Sequence, residues 1–265
     1  MLIGCNFSKH LKFLLEKEEI EVDYIKAGAY GDFDEEYSIM RSFKPILVHG
    51  LGNFERTGMK DSYVIDFKRA NKLFDKCQSP HFGIHIEIKK SDMLEGMNEE
   101  DIHKHMCKQI QIFKTNINVP LLLENVPDCP TEHTIFNCYP YFQPEKLTRL
   151  FLENDVDFLL DISHAKIAAE YHGIDIKEYL KELPLNRVRE IHVNGSGYDK
   201  NGFPMDTHQS MEKIDYEMLE WVLKFATPKI VTLEYAGIKG ETEDYIRESL
   251  KIQLKRIKDV VGQYI

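Results

Sequence analysis

The chain has 265 residues, 43% hydrophobic and 29% charged, a soluble globular balance with enough apolar material for one large core. Its formal charge of −10 weighs against broad binding to a nucleic-acid backbone, which relies on clustered Lys and Arg. No apolar run approaches the roughly 20 residues that cross a bilayer, so no membrane span is expected.

Along the chain, short apolar runs rich in β-branched residues alternate with segments of helical periodicity. The expected strands are residues 2–6, 24–27, 46–49, 82–88, 120–126, 158–162, 188–194 and 230–235. The helical patterns cover 9–17, 35–41, 61–76, 99–115, 144–154, 174–183, 215–225 and 241–261. Eight strands alternating with eight helices imply parallel strands with helical crossovers. At this length, closure into a single (β/α)8 TIM barrel of the α/β class is expected over an open doubly wound sheet. An early GxGxxG turn is also missing, which counts against a dinucleotide fold. With no low-complexity stretch, Gly/Ser linker or shift in composition, residues 1–265 are expected to form one domain.

Five cysteines, an odd number without zinc-finger spacing, point to free thiols in a reducing compartment. The N-terminal MLIGCNFSKH lacks the pattern of a signal peptide, and a cytoplasmic protein is expected.

In such barrels the active site is built from the C-terminal strand ends and the loops after them. The third strand ends at His49, and the fourth carries His85 within GIHIEI. The fifth, LLLENVP, places Glu124 at the mouth, and the sixth, LLDISHA, offers Asp161 and His164. The seventh, EIHVNG, carries His192, the following MDTHQS carries Asp206 and His208, and TLEYAG ends the eighth at Glu234. Imidazole and carboxylate suit Zn, Mn or Fe, and a carboxylate can bridge two ions. Residues two apart in an extended segment share a face, so Asp206 and His208 can address one centre. Each residue alone has an ordinary reading: a strand His is usually a hydrogen-bonded core residue, and Asp161 and His164 could cap the next helix. Six successive strands delivering such a residue at one end change that reading, because burying these groups together without a cation costs several kcal/mol per ion. The expected ligands are therefore His49, His85, Glu124, Asp161, His164, His192, Asp206, His208 and Glu234. Of these, Glu124, Asp161, His164 and Glu234 are also candidates for catalytic roles.

The other histidines read as ordinary: His103 and His105 lie in a polar helix, His172 follows a helix and His10 starts one. The aromatic segment 127–144 is a packed loop or a lid, and the loose spacing of Cys129, His133 and Cys138 within it speaks against zinc. Asn125 and Asn194 could hold ligands or substrate, or be turn residues. The Gly-rich stretch 194–202 could let backbone approach a substrate, or only shape a long turn.

The ordered series His, His, Glu, Asp-x-x-His, His, Asp-x-His, Glu resembles the trinuclear set of the endonuclease IV branch of xylose-isomerase-like barrels. The wording around it (LVHGLGN, LLLENVP, LLDISHA, LPLNRVREIHVNGSG, MDTHQSMEKIDYEMLEWVL and TLEY) is similar to the multinuclear non-heme iron-dependent oxidative (MNIO) family, over roughly residues 46–235. That resemblance implies iron bound by His49, His85, Glu124, Asp161, His192, Asp206, His208 and Glu234. It also implies O₂-dependent reworking of residues, often cysteine, in ribosomally made peptides, commonly with a partner protein that presents the peptide. One position departs: His164 stands where that family usually has Asn, as in the endonuclease branch, and could complete a third metal site or favour zinc.

The expectation is thus a multinuclear metal enzyme with two or three ions, Fe first and Zn or Mn as alternatives. It acts as an oxidative enzyme on a peptide (cysteine) or small thiol. The alternatives are a phosphodiester or phosphoester hydrolase of the endonuclease IV type and a sugar isomerase or epimerase. The latter needs one metal, so nine candidate ligands are a surplus.

Overall fold

A computed structural model describes residues 1–28, 33–51, 57–59, 62, 65–131 and 139–264. Eight parallel strands close into a barrel: β1 (Leu2–Asn6), β2 (Tyr24–Gly28), β3 (Ile46–His49), β4 (Phe82–His85), β5 (Leu121–Glu124), β6 (Asp157–Asp161), β7 (Val188–Val193) and β10 (Ile230–Leu233). Neighbours follow in sequence order, and β10 closes the ring between β7 and β1. The chain forms the expected (β/α)8 TIM barrel.

Alternation along each strand divides the residues between two environments. Cys5, Ile25, Val48, Phe82, Leu123, Phe158, Ile191 and Val231 face outward. They join one core with helix residues such as Leu14, Phe74, Phe113, Phe151, Leu219 and Leu250. The helices that cover them are α1 (Lys9–Glu16), α2 (Phe33–Phe43), α3 (Phe67–Cys77), α4 (Glu99–Asn116), α5 (Pro144–Asn154), α6 (Ile162–Tyr171), α7 (Ile176–Lys181), α8 (Lys213–Val222) and α9 (Glu243–Val261). The intervening strand residues fill the barrel, where Gly83 is required. A Cβ there would stand 2.9 Å from the His49 ring and 3.0 Å from Leu159.

Two stretches differ from the sequence reading. The residues after β6 form α6 directly, ahead of the short helix expected near 174–183. Asp161 nucleates α6 by accepting the His164 backbone N–H at 2.7 Å, an N-cap that satisfies one orphan amide of the first turn. The Gly-rich stretch is not a simple turn. It opens an antiparallel hairpin, β8 (Gly195–Tyr198) with β9 (Pro204–Gln209), placed at the barrel mouth between β7 and α8. Of the 127–144 segment, residues 132–138, including His133 and Cys138, lie outside the described residues. Among the described residues no helix is long and apolar enough to cross a membrane.

Candidate metal centre

Register brings the candidate residues together before any side-chain detail is considered. His85 pairs with Glu124 across β4–β5, and Asp161 pairs with His192 across β6–β7. Each is the inward residue at the C-terminal end of its strand. Glu124 is the hub: it contacts His49 Nε2 through Oε2, with His85 Nε2 3.3 Å from the same oxygen. Its Oε1 meets His192 Nδ1 at 3.1 Å and lies 3.7 Å from His164 Nδ1. His192 Nδ1 is also 3.4 Å from Glu234 Oε1. The hairpin supplies the remainder: Asp206 Oδ2 lies 3.3 Å from His164 Nε2 and 2.8 Å from His208 Nε2, and His208 reaches Glu234 at 3.9 Å. All nine candidate residues thus belong to one contact network. His208 sits at φ 47°, left-handed backbone that L-residues occupy at a cost of order 1–3 kcal/mol, and the hairpin holds it there with its imidazole against Asp206.

Two imidazoles each turn one nitrogen to the cluster. His164 Nδ1 donates to the Asn125 carbonyl at 2.7 Å, which leaves Nε2 facing Asp206 and Asp161. Tying the outer nitrogen to a carbonyl in this way is how proteins orient a metal-binding histidine. His192 Nδ1 faces Glu124 and Glu234, while its buried Nε2 stands 3.3 Å from Glu190 Oε1 without a formed hydrogen bond. Asp161 divides its carboxylate in a comparable way. Oδ1 caps α6, while the buried Oδ2 has no hydrogen-bond partner, an arrangement that costs free energy unless a cation meets it.

The electrostatics point the same way. Burial alone would raise the Glu124 pKa, but His85, His49 and His192 outweigh it and hold the carboxyl well below its usual range. Burial raises Asp161, with Glu124 and Asp206 adding to the shift against His164. Burial also holds His49 down to about 4 and His85 to about 3, so both are neutral at pH 7, the form that binds metal. His164 behaves oppositely: burial lowers its pKa, but Asp161, Asp206 and Glu124 lift it to about 10. Without a metal, a proton on His164 does the neutralising. Among the described residues, four carboxylates (Glu124, Asp161, Asp206, Glu234) face one lysine, Lys26, at this mouth.

The donor set fits a multinuclear centre. One ligand atom each from His49, Glu124 and His192 lie within 4.8 Å of one another, as do atoms of Glu124, Asp161, His192 and Glu234. A cation bonded at about 2.0–2.2 Å to each donor needs donors at most about 4.4 Å apart, so slight closure suffices. The two groups overlap at Glu124 and His192; the two oxygens of Glu124 can serve two ions, whereas the single cluster-facing nitrogen of His192 can serve one.

Several residues in this region escaped the sequence reading. Lys26, from β2, is enclosed in the barrel with its ammonium on Glu234 Oε1. Burial pulls its pKa down, against the raising pull of Glu124 and Glu190. Glu190 accepts from Thr232 Oγ1 at 2.5 Å and pairs with His81 Nε2 at 2.5 Å beneath His192. Asn125 and Asn194, left open between ligand support and turn, both buttress ligand candidates. Asn194 Nδ2 donates to Asp206 Oδ1 at 2.8 Å, and Asn125 bonds the Asp161 backbone twice. His103, read as a polar-helix residue, is buried against α5.

The sequence model described as "RiPP precursor modification enzyme MbnB/TglH/ChrH" matches residues 10–255. A UPF0276 protein of Bordetella pertussis is 26% identical over 152 residues, 56% of this chain and 51% of that protein. One of Caulobacter vibrioides is 26% identical over 176 residues, 64% of this chain and 60% of its own length. The chain therefore spans about half to three fifths of these relatives. Among solved structures, a putative xylose isomerase from Rhodospirillum rubrum superposes with a TM-score of 0.67 at 14% identity, covering 98% of this chain and 99% of that one. The IOLI protein with a bound zinc atom gives 0.63 at 15% identity over 100% and 99%. At these identities the structural likeness establishes the xylose-isomerase-like barrel fold alone.

Proposed function

Because the chain belongs to the RiPP precursor modification enzyme family matched over 10–255, we propose that it is a metal-dependent oxidative enzyme. It would use two or three ions, iron first, and O₂ to modify a cysteine-containing peptide or small thiol. The observation that carries this reading is the pair of overlapping donor groups, His49 with Glu124 and Glu124 with Asp161 and Glu234, joined through the Glu124 carboxylate. A one-metal isomerase has no need for two adjacent positions, whereas holding a substrate thiolate beside O₂ does.

His49, His85, Glu124, Asp161, His164, His192, Asp206, His208 and Glu234 would hold the ions. When bound, iron supplies the redox equivalents that O₂ chemistry on sulfur requires. The chain itself supplies position and charge. Glu124 and Glu234 are 1% and 2% exposed and would be among the carboxylates that hold the ions, kept in place by burial. Lys26 neutralises Glu234 and keeps that carboxylate from swinging outward. Asp206 and His208 ride on the hairpin, so substrate entering the mouth meets them first. The −10 charge fits a peptide better than a phosphodiester chain, and a partner protein that presents the peptide is part of the proposal.

The test is to load the protein with Fe(II) anaerobically, add cysteine-containing peptides and O₂, and follow peptide mass and O₂ uptake. A mass change that needs both iron and O₂ is expected. Phosphoester cleavage by the Zn- or Mn-loaded protein, with no iron-dependent O₂ uptake, would replace this reading with hydrolysis.

A further inference from the structure

A second group of ligand-type side chains lies outside the barrel, where α4 packs on α5. His103 and Cys107 are four residues apart on α4 and so share a face, and Glu153 projects from α5. His103 Nε2 stands 2.8 Å from Glu153 Oε2 and 3.5 Å from Cys107 Sγ. The three donor atoms lie within 4.8 Å of one another. We propose that His103, Cys107 and Glu153 form a second divalent-cation site, of zinc type, separate from the barrel centre.

The surroundings are organised for that role. His103 is 5% exposed, and its Nδ1 lies 3.2 Å from Tyr141 Oη, a partner that sets the ring with Nε2 toward Cys107 and Glu153. Asn154 Nδ2 donates to Cys107 Sγ at 3.1 Å, as a thiolate ligand requires of its neighbours. Arg149 Nε takes the other oxygen of Glu153 at 2.7 Å, which holds the carboxylate with Oε2 inward. The remaining Arg149 nitrogens bond Glu100 at 3.0 and 3.4 Å, so its charge is met elsewhere. Thiolate plus carboxylate balances a doubly charged cation, and sulfur among the donors selects zinc-like metals over magnesium or calcium. Three protein ligands leave a fourth position. A cavity of about 140 Å³ opens beside His103, lined also by Glu99, Tyr141, Lys146 and Arg149, and brings solvent near the ligand histidine. Occupancy would tie α4 to α5 and, through Tyr141, steady the chain entering α5.

The sulfur gives this site a signature that the all-His-and-carboxylate barrel centre lacks. Metal-free full-length protein is titrated with Co(II) and followed by near-ultraviolet absorption for thiolate-to-cobalt charge transfer. We expect a band whose plateau intensity corresponds to one thiolate-bound Co(II) per chain, and which disappears in Cys107→Ser and persists in Asp161→Ala. The half-exposed Glu153 tolerates replacement, so Glu153→Gln should fold and retain the band while weakening Co(II) and Zn(II) at least tenfold. No band in the wild-type protein, a band unchanged in Cys107→Ser, or unaltered affinity in Glu153→Gln would overturn the site. None of these outcomes depends on whether the barrel centre holds iron.

Discussion

Asn125 and Asp161 exchange a reciprocal pair of hydrogen bonds across the β5–β6 seam: Asn125 Nδ2 donates to Asp161 O, and Asp161 N donates to Asn125 Oδ1, both at 2.9 Å. The Asn125 carbonyl then accepts from His164, so one asparagine sets two neighbouring ligand candidates. Asn125→Ala removes both side-chain bonds and strands two buried backbone groups. A loss of about 2–4 kcal/mol is expected from two net bonds plus desolvation. Urea unfolding of metal-free protein measures it, and metal content after loading should fall in the same variant.

Lys26 and Glu234 form a buried ion pair, with side chains 10% and 3% exposed. Removing one partner of such a pair costs about 3–5 kcal/mol because the other charge is left alone. Lys26→Met should therefore destabilise the metal-free protein strongly. It should destabilise the metal-loaded protein much less, since bound cations then meet Glu234. Unfolding with and without metal gives the comparison, and equal losses would mean that Glu234 faces no ion.

Glu190 lies against His192 on the side away from the cluster, its Oε1 3.3 Å from Nε2. Glu190→Gln keeps an acceptor for Thr232 but gives up the charge that raises the basicity of the imidazole. Outer-shell changes of this kind typically cost 10–100-fold in metal affinity. Chelator competition against the wild-type protein should register a loss of that size with the fold intact.

The histidines give the metal-free protein a two-sided pH response. His49 and His85 are held to about 4 and about 3 in the folded chain, below the unfolded value of about 6.5. Their contribution is present above pH ~6.5 and is lost as pH falls toward 4 and then 3, because the unfolded chain binds more protons. His164, raised to about 10, contributes fully below pH ~6.5, and that contribution is lost as pH rises through 10. Denaturant midpoints across this range should fall on both sides, and His164→Asn should flatten the alkaline limb alone.

The barrel and its mouth were legible because both obey simple periods. Strands β1 and β3 fall at their expected bounds, and His49, Glu124 and Asp161 each end an apolar run. Lys26 and Glu190 were missed for a physical reason. A charged residue inside a short strand such as YIKAG ordinarily marks the solvated face, and only closure of the barrel turns that face inward. Glu190 did carry a signal: it stands two residues before His192, hence on the same side of β7. The hairpin was hidden because its glycines read as a turn, although Gly195 and Gly197 sit where a Cβ would strike Ser210 and Gln209 of the facing chain. His103 lies in the helix the sequence reading expected; its burial was not legible because α4 is polar overall and its buried stripe emerges only against α5.

The central claim is a multinuclear centre at the barrel mouth, and metal analysis tests it most directly. Protein purified without oxygen or chelators is assayed for metal content with Mössbauer spectroscopy, beside Asp161→Ala. The account predicts two or more irons per chain in the wild-type protein, magnetically coupled and largely lost in the variant. At most one metal ion per chain after anaerobic iron loading, or full iron content retained in Asp161→Ala, would contradict it.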